Sequence, residues 1–158
     1  MNCDQNCTSC ANSCHIPCPV CGKIGQPVAY ETVKHLINQP CHFFENEEIY
    51  ICTSKKCEAV YYQENNPTIY FKKDLLVPVW YKEKYDQFLV CYCHHIYLHH
   101  IVEAVKESNS DHLTKKDILK ILNKSETENC KHQNPTGLSC DILFQNAIEF
   151  AYKQKRGE

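Results

Sequence analysis

The stretch LVCYCHHIY (residues 89–97) places two cysteines one residue apart, and a later stretch, CKHQNPTGLSC (residues 130–140), begins and ends with cysteine. A [2Fe–2S] cluster is held by four thiolates, two on each iron. In extended chain the side chains at i and i+2 point to the same face, so Cys91 and Cys93 are predicted to form one pair. Cys130 and Cys140 are then predicted to form the second pair, and the residues between the two stretches to be the scaffold that joins them.

The residues around these cysteines predict helices. Apolar residues recur at the spacing of a helix face after residue 97, a second helix is predicted to begin after Thr114 with Asp117 as its capping partner, and a third runs from Ser139 or Cys140 through DILFQNAIEFAYKQK. A cysteine at a helix N-terminus is a sensible ligand, because the helix dipole stabilises thiolate charge. The predicted core positions of the three helices are Leu98, Ile101, Val102 and Val105; Ile118, Ile121 and Leu122; and Leu143, Ala147, Phe150 and Ala151.

Towards the N-terminus, PCPVCGK (residues 17–23) predicts a zinc knuckle of the ribbon type. Cys18 and Cys21 have the Cys-x-x-Cys spacing, and Gly22 can adopt backbone angles that turn amides towards the sulfurs. Cys52 and Cys57, in IYICTSKKCEAVYY, offer a matching pair, and tetrahedral zinc coordination by the four thiolates is the simplest closure. A redox-active Cys18/Cys21 dithiol is the alternative, but the preceding strand and following helix that it needs are not evident.

The rest of this region predicts a mixed set of short elements. YETVKHLI (residues 30–37) is predicted to be a short helix, whereas EAVYYQ, TIYF and LLVPVW are predicted to be strands. The sequence therefore predicts an α+β protein: a small β-rich domain of zinc-ribbon type (residues 17–85), followed by a small helical [2Fe–2S] domain (residues 86–158). Cys41 is left over, and a buried free thiol is its simplest interpretation.

Two further groups of candidate ligands remain open. An N-terminal arm (residues 1–16) contains Cys3, Cys7, Cys10 and Cys14, which would share one stripe of a helix and could bind Cu(I). The alternatives are a disordered arm and a contribution of Cys10 or Cys14 to the zinc site. Four histidines follow Cys93; His95 and His99 would be i,i+4 partners on a helix, but solvated or hydrogen-bonding roles near a cluster are the simpler interpretation. The four are His94, His95, His99 and His100.

Composition narrows the functional classes. Thirteen cysteines in 158 residues, an odd number, indicate metal ligation in a reducing compartment more than a disulfide framework. The formal net charge of −2, with charges interspersed, argues against nucleic acid or an anionic membrane as a partner. No apolar run is long enough for a membrane span and no signal peptide is evident, so we expect a cytoplasmic protein.

Several of these stretches resemble the N-terminal region of CopZ-type iron–sulfur copper chaperones. The resemblance rests on CPVCGKIGQPVAYETVKHL, YICTSKKCEAVYY, the Tyr-Lys-Glu-Lys of VPVWYKEK, VCYC, and Cys130 followed by NPTG and Cys140. It implies a zinc domain joined to a [2Fe–2S] domain that resembles bacterioferritin-associated ferredoxin. The cluster ligands would be Cys91, Cys93, Cys130 and Cys140. The zinc ligands would include Cys18, Cys21, Cys52 and Cys57.

The chain departs from that family's pattern in three ways. It ends at Glu158 without the βαββαβ domain and Met-x-Cys-x-x-Cys loop of full copper chaperones, so copper transfer through such a domain is not expected. Cys130 and Cys140 lie further apart than the closing Cys-x-x-Cys of the ferredoxins, which weakens any transfer of the ferredoxin's partner. The cysteines of the N-terminal arm have no counterpart in the matching stretches.

The leading hypothesis is a non-enzymatic carrier of one electron that works in copper homeostasis, through reduction of Cu(II) to Cu(I) or through copper chaperoning. Its partners would be copper ions or a copper-handling protein, together with a redox partner protein. The alternative is a thiol-based metal store or sensor with no significant electron-transfer role. A catalytic reductase is disfavoured, because only four glycines are present and none forms a nucleotide-binding motif.

Overall fold

The computed structural model describes residues 16–158, apart from the side chain of Asp86. The fold is α+β, as predicted, with a β-rich N-terminal part and a helical C-terminal part. The N-terminal arm lies outside the described residues except for Ile16, so its predicted metal site stays a prediction.

The N-terminal part is a four-stranded antiparallel sheet with one short helix. The strands follow chain order, and their bounds are β1 (Gln26–Val28), β2 (Ile49–Ile51), β3 (Ala59–Gln63) and β4 (Asn66–Phe71). Helix α1 (Tyr30–Leu36) follows β1 and confirms the helix predicted over 30–37. Val33, Val60 and Tyr61 are fully buried in the core between helix and sheet.

The segment LLVPVW does not form the predicted strand. Leu75 makes only an isolated bridge to Ile37, and the chain then turns into a 3-10 helix over Trp80–Lys82. Pro78 has no N–H to donate to a sheet ladder, which is one reason why a run of apolar residues stops short of a strand here. Val79 is buried in the core of the sheet and Leu75 packs against it, whereas Leu76 is exposed.

The C-terminal part is a small hairpin packed on helices. Strands β5 (Leu89–Cys91) and β6 (Ile96–Tyr97) pair antiparallel, and they are followed by α2 (Leu98–Glu107), α3 (Lys115–Ile121), α4 (Cys130–Gln133) and α5 (Asp141–Arg156). The predicted face of α2 is confirmed, because Leu98, Ile101, Val102 and Val105 are all buried. The Thr114 cap is also confirmed: its hydroxyl accepts a hydrogen bond from the Asp117 amide.

The buried faces of α3 and α5 match the prediction at Ile118, Ala147 and Ala151 but are otherwise shifted to neighbouring positions. In α3, Leu119 is buried beside Ile118, whereas Ile121 is exposed. In α5, Phe144 and Ile148 are buried with Ala147 and Ala151, while the predicted Leu143 and Phe150 are only partly buried. The shift arises because an apolar stripe wider than one face fits several helix rotations, and packing on α2 selects among them.

Two hydrogen bonds, one buried and one part-buried, tie the segment 130–137 to the N-terminal part. The Thr32 hydroxyl, on α1, donates to the carbonyl of Lys131 at 2.7 Å, and the Tyr61 hydroxyl donates to the carbonyl of Pro135 at 2.6 Å. Thr32 and Tyr61 are fully buried. Burial raises the pKa of Tyr61 well above its ordinary value, so its hydroxyl stays a donor. We call this set of contacts the seam between α1, β3 and residues 130–137.

Gly137 shows how closely the seam is packed. Its φ of +70° is in the left-handed region, and a Cβ atom placed on it would lie 2.6 Å from the Thr32 Oγ1. We expect Gly137→Ala to lower the free energy of unfolding by more than the roughly 1–2 kcal/mol of left-handed strain alone. Urea denaturation of the metal-loaded protein measures this.

Gly157→Ala is the matched control, because Gly157 has a φ of +76° with no atom within 4 Å of the added Cβ. It should cost less than Gly137→Ala. Equal losses in the two variants would contradict close packing at the seam.

Candidate metal centres

The four cysteines predicted to hold zinc come together. One sulfur from each of Cys18, Cys21, Cys52 and Cys57 lies within 4.8 Å of the others, and the Cys21 and Cys52 sulfurs are 3.6 Å apart. We call this group the zinc-site thiols. Cys18, Cys52 and Cys57 are buried and Cys21 is exposed. A closed set of four thiolates without a free position is the donor set of structural zinc sites, so these residues fit a zinc ion.

Local backbone structure explains why these thiols converge. Pro17 and Ile24 form a bridge, the Cys18 amide donates to the carbonyl of Lys23, and Gly22 takes a φ of +73° in the turn between them. The second pair occupies the connection between β2 and β3, where the Cys52 amide donates to the carbonyl of Val60. Two tight loops thus face each other, as the two Cys pairs predicted. The turn around Cys18 and Cys21 is not followed by a helix, which disfavours the alternative redox dithiol.

Backbone amides lower the pKa values of three of these thiols, whereas burial raises them. The amide of Lys23 donates to the Cys21 sulfur and lowers the pKa of that thiol to about 7. Burial raises the pKa of Cys52 to about 12 and also raises the pKa of Cys57, against the amides of Ser54 and Ala59, which favour the thiolates. A bound cation would balance the negative charge of the buried thiolates, so folding and metal binding are coupled.

Lys82 belongs to the Tyr-Lys-Glu-Lys stretch that supports the family resemblance, but its role could not be predicted from the sequence. It is 8% exposed, and its ammonium group donates to the carbonyls of Ser54 and Cys57 at 2.6 and 2.9 Å. Its charge also favours the Cys52 thiolate, lowering the pKa of that group against burial. The neighbouring Tyr81 donates to the carbonyl of Cys52 at 2.9 Å. These contacts fix the second loop of the zinc-site thiols and place a positive charge beside it.

Removing the Lys82 charge should weaken both the fold and metal retention. We expect Lys82→Met to lower the free energy of unfolding by about 2–3 kcal/mol, because the buried carbonyl of Cys57 and the part-buried carbonyl of Ser54 lose a charged donor. Release of zinc to a competing chelator should be faster than in the parent protein. Lys56→Met is the control, since Lys56 is exposed in the same loop; similar behaviour of the two variants would show that Lys82 has no special role.

The four cysteines predicted to hold a cluster also lie in neighbouring segments, but in a looser arrangement. Cys91 ends β5, Cys93 lies in the turn before β6, Cys130 begins α4, and Cys140 is the N-cap of α5. The Cys93 and Cys130 sulfurs are 3.9 Å apart. We call these four the cluster-site thiols. Unlike the zinc-site thiols, they do not form a group in which all sulfurs lie within 4.8 Å of one another.

The contacts among these sulfurs join the two stretches rather than the members of the Cys-x-Cys pair. The sulfur of Cys93 contacts that of Cys130, and the hydrogen bond with the Cys140 thiol has the largest effect on the pKa of Cys91. The sequence analysis expected extended chain through Cys91 and Cys93, but β5 ends at Cys91 and a turn follows, in which His95 has a φ of +53°. The i,i+2 rule therefore does not apply to this pair.

Backbone amides point at three of the four cluster-site thiols. The Asn129 amide donates to the Cys93 sulfur at 3.2 Å, and the amides of His94 and Cys140 donate to Cys91 and Cys130. The hydrogen bond between the Cys91 and Cys140 thiols lowers the pKa of Cys91 and raises the pKa of Cys140. Burial raises the pKa values of Cys93 and Cys130. Such N–H···S contacts stabilise negative charge on sulfur, as iron–sulfur ligation requires.

Lys115 is a second lysine that the sequence analysis missed. Its ammonium group forms ion pairs with Glu128 and, at 2.6 Å, with Asp141 at the start of α5. Its charge favours the thiolates of Cys91 and Cys140. It therefore joins α3, the chain before Cys130 and α5 around the cluster-site thiols.

The remaining candidates fall outside both thiol groups. Cys41 is partly buried against the sheet core, near Tyr30 and Tyr70. His95 precedes β6 rather than lying on α2, so the predicted helical pair with His99 is wrong. His94 contacts the carbonyl of Thr127 at 2.9 Å. Among the described residues, the only other group of possible metal ligands is Glu31, His35 and His132, which the sequence analysis did not consider.

Two groups of four thiols on an α+β fold are typical of metal-binding proteins. Residues 15–76 match the family model of the CopZ-type zinc binding domain. The chain is 27% identical over 123 residues to the copper chaperone CopZ of Archaeoglobus fulgidus, an alignment that covers 78% of this chain and 57% of that protein. The chain thus contains a CopZ-like zinc-binding domain and spans little more than half the length of that relative.

A solved structure extends the similarity beyond the zinc domain. The X-ray structure of the N-terminal domain of Archaeoglobus fulgidus CopZ superposes with a TM-score of 0.63 at 25% identity. The match covers 83% of this chain and 96% of that one, so the fold is shared across both parts of the molecule. The resemblance to bacterioferritin-associated ferredoxin and the boundary between residues 85 and 86 stay predictions. None of the helices in residues 16–158 has the length and hydropathy to cross a bilayer.

Proposed function

We propose that this protein binds zinc through Cys18, Cys21, Cys52 and Cys57 and a [2Fe–2S] cluster through Cys91, Cys93, Cys130 and Cys140. The observation that carries the proposal is the convergence of two separate four-thiol groups, only one of which is compact enough for a single tetrahedral ion. A CopZ-type zinc-binding domain supports zinc in the first group. The wider spread of the second group suits ligands shared between two irons.

The two groups would have different roles. A closed site of four cysteines is structural, and Lys82 and the two tight loops hold its ligands in place without an open position. A [2Fe–2S] cluster, when bound, accepts and donates one electron. The chain's own contribution at that site is to aim the amides of His94, Asn129 and Cys140 at the sulfurs and to hold Lys115 beside them, since hydrogen bonds and nearby charge set the reduction potential.

We further propose that the electron serves copper handling in the cytoplasm. The relative is named as a copper chaperone, which makes copper the leading candidate for cargo. In this proposal a redox partner protein supplies one electron, Cu(II) gains it, and Cu(I) leaves to a thiol-rich acceptor or stays bound for delivery. The residues do no bond-making chemistry of their own, so the protein is a carrier rather than an enzyme.

The proposal predicts the metal content of anaerobically purified protein. Iron and sulfide should be present in equal amounts, at twice the zinc content, with visible absorption in the oxidised form. Cys91→Ser or Cys130→Ser should abolish that absorption while zinc is retained. Cys41→Ser is the matched control and should keep both. Zinc in place of iron in the second group would contradict electron transfer and favour the alternative of a thiol-based metal store or sensor.

The copper role has its own test. Dithionite-reduced protein, freed of excess reductant, should convert added Cu²⁺ to Cu⁺ at one ion per cluster, measured with a Cu⁺-specific chelator that absorbs light. The cluster-free Cys91→Ser variant should lose this portion of the reduction and keep only the slower reaction of free thiols. Equal yields from the two proteins would show that the cluster is not the electron source.

A further inference from the structure

A third group of possible metal ligands lies at the seam. Glu31 and His35 are i,i+4 neighbours on α1, and His132 lies on α4, two residues after Cys130. One ligand atom of each residue lies within 4.8 Å of the others. The two imidazole rings face each other with centroids 4.3 Å apart and an interplanar angle of 35°. This group shares no residue with either set of thiols.

Both histidines have the same ring nitrogen occupied. Nδ1 of His35 lies 2.7 Å from the carbonyl oxygen of Glu31, and Nδ1 of His132 lies 2.9 Å from the side-chain oxygen of Asn129. Because both partners accept hydrogen bonds, Nδ1 carries the proton in each neutral ring and Nε2 carries the lone pair. Histidines that bind metals are commonly oriented in this way, with the second nitrogen donating to an oxygen.

The fold holds these residues together from two distant parts of the chain. The Thr32 hydroxyl, next to Glu31, donates to the carbonyl of Lys131, next to His132. The donor Thr32 is fully buried and the hydrogen bond is part-buried, so α4 is held against α1 at the point where the histidines meet. Atoms bound to one ion lie within about 4 Å of each other, given metal–nitrogen bonds of about 2 Å. The Glu31 carboxylate lies 3.9 Å from Nδ1 of His35, and because both side chains are exposed they can rotate to bring the carboxylate towards Nε2.

We propose that Glu31, His35 and His132 bind Cu²⁺. Two imidazoles and a carboxylate suit Cu²⁺, which binds such ligands more tightly than the other divalent ions of its row, whereas Cu⁺ prefers sulfur. The ligand set therefore distinguishes oxidised from reduced copper. The choice of Cu²⁺ as the physiological ion rests on the proposed function, but the existence of the site does not. One member of the site, His132, lies two residues after the proposed cluster ligand Cys130.

Electron paramagnetic resonance with Cu²⁺ as the probe tests the site. The measurement uses the full chain, loaded with zinc and iron and fully oxidised, in a background with Cys3, Cys7, Cys10 and Cys14 replaced by serine to remove competing thiols. The spectrum should show one bound ion with hyperfine splitting from two imidazole nitrogens. His35→Gln/His132→Gln should weaken Cu²⁺ binding by at least about tenfold, and Glu31→Gln by less, since it keeps both rings.

A second histidine pair provides the matched control. The rings of His99 and His100 are 4.2 Å apart, but they do not form a ligand group with a carboxylate among the described residues. His99→Gln/His100→Gln should therefore leave the bound spectrum and affinity unchanged. Iron content and the visible spectrum of the same samples test the proposed function separately: a protein without iron that keeps the histidine-dependent copper signal would retain this site and refute the cluster. An unchanged copper signal in His35→Gln/His132→Gln, or Zn²⁺ competing on equal terms with Cu²⁺, would overturn the inference.

Discussion

The hydrogen bonds of Thr32 and Tyr61 to the carbonyls of Lys131 and Pro135 are the constraint that places the segment 130–137 against the N-terminal part. The segment 130–137 has little regular structure of its own, only the single turn of α4. A segment so short cannot hold a fixed position by helix propensity, so its position is set by the buried donors that meet its carbonyls. Cys130 and His132 are thus placed by hydrogen bonds that span 99 and 74 positions of the chain.

In both thiol groups, hydrogen-bond donors and a nearby lysine offset the negative charge of the thiolates. Four thiolates exceed the charge of a zinc ion by two, and burial of the excess is costly without compensation. In each group, backbone amides donate to sulfur and one lysine lies nearby: Lys82 beside the zinc-site thiols and Lys115 beside the cluster-site thiols. The two lysines differ in setting. Lys82 is held by backbone carbonyls, whereas Lys115 is shared with two carboxylates.

The cysteine spacings were enough to predict which segments meet, because ligand spacing and the Gly22 turn are local features of the chain. The α+β fold, α1, α2 and the Thr114 cap were also predictable from local pattern. Lys82 and Lys115 were not, since nothing distinguishes a lysine that a distant loop will bury from one in solvent. His35 and His132 are 97 positions apart, and only the tertiary packing of α1 on α4 brings them together. The prediction that the chain is extended from Cys91 to Cys93 was wrong, because β5 ends at Cys91 and a turn follows.

The seam also bears on how the molecule is made. Tyr61 belongs to a core drawn from residues 28–79, and Thr32 lies on α1 within the same stretch, which leaves the ribosome well before residues 130–137. N-terminal units generally fold first during synthesis, so the receiving surface is complete when the later segment emerges. A nascent chain can therefore close its sheet and bring the zinc-site thiols together before the cluster-site thiols are assembled. The chain order thus builds a sequence of maturation steps into the fold.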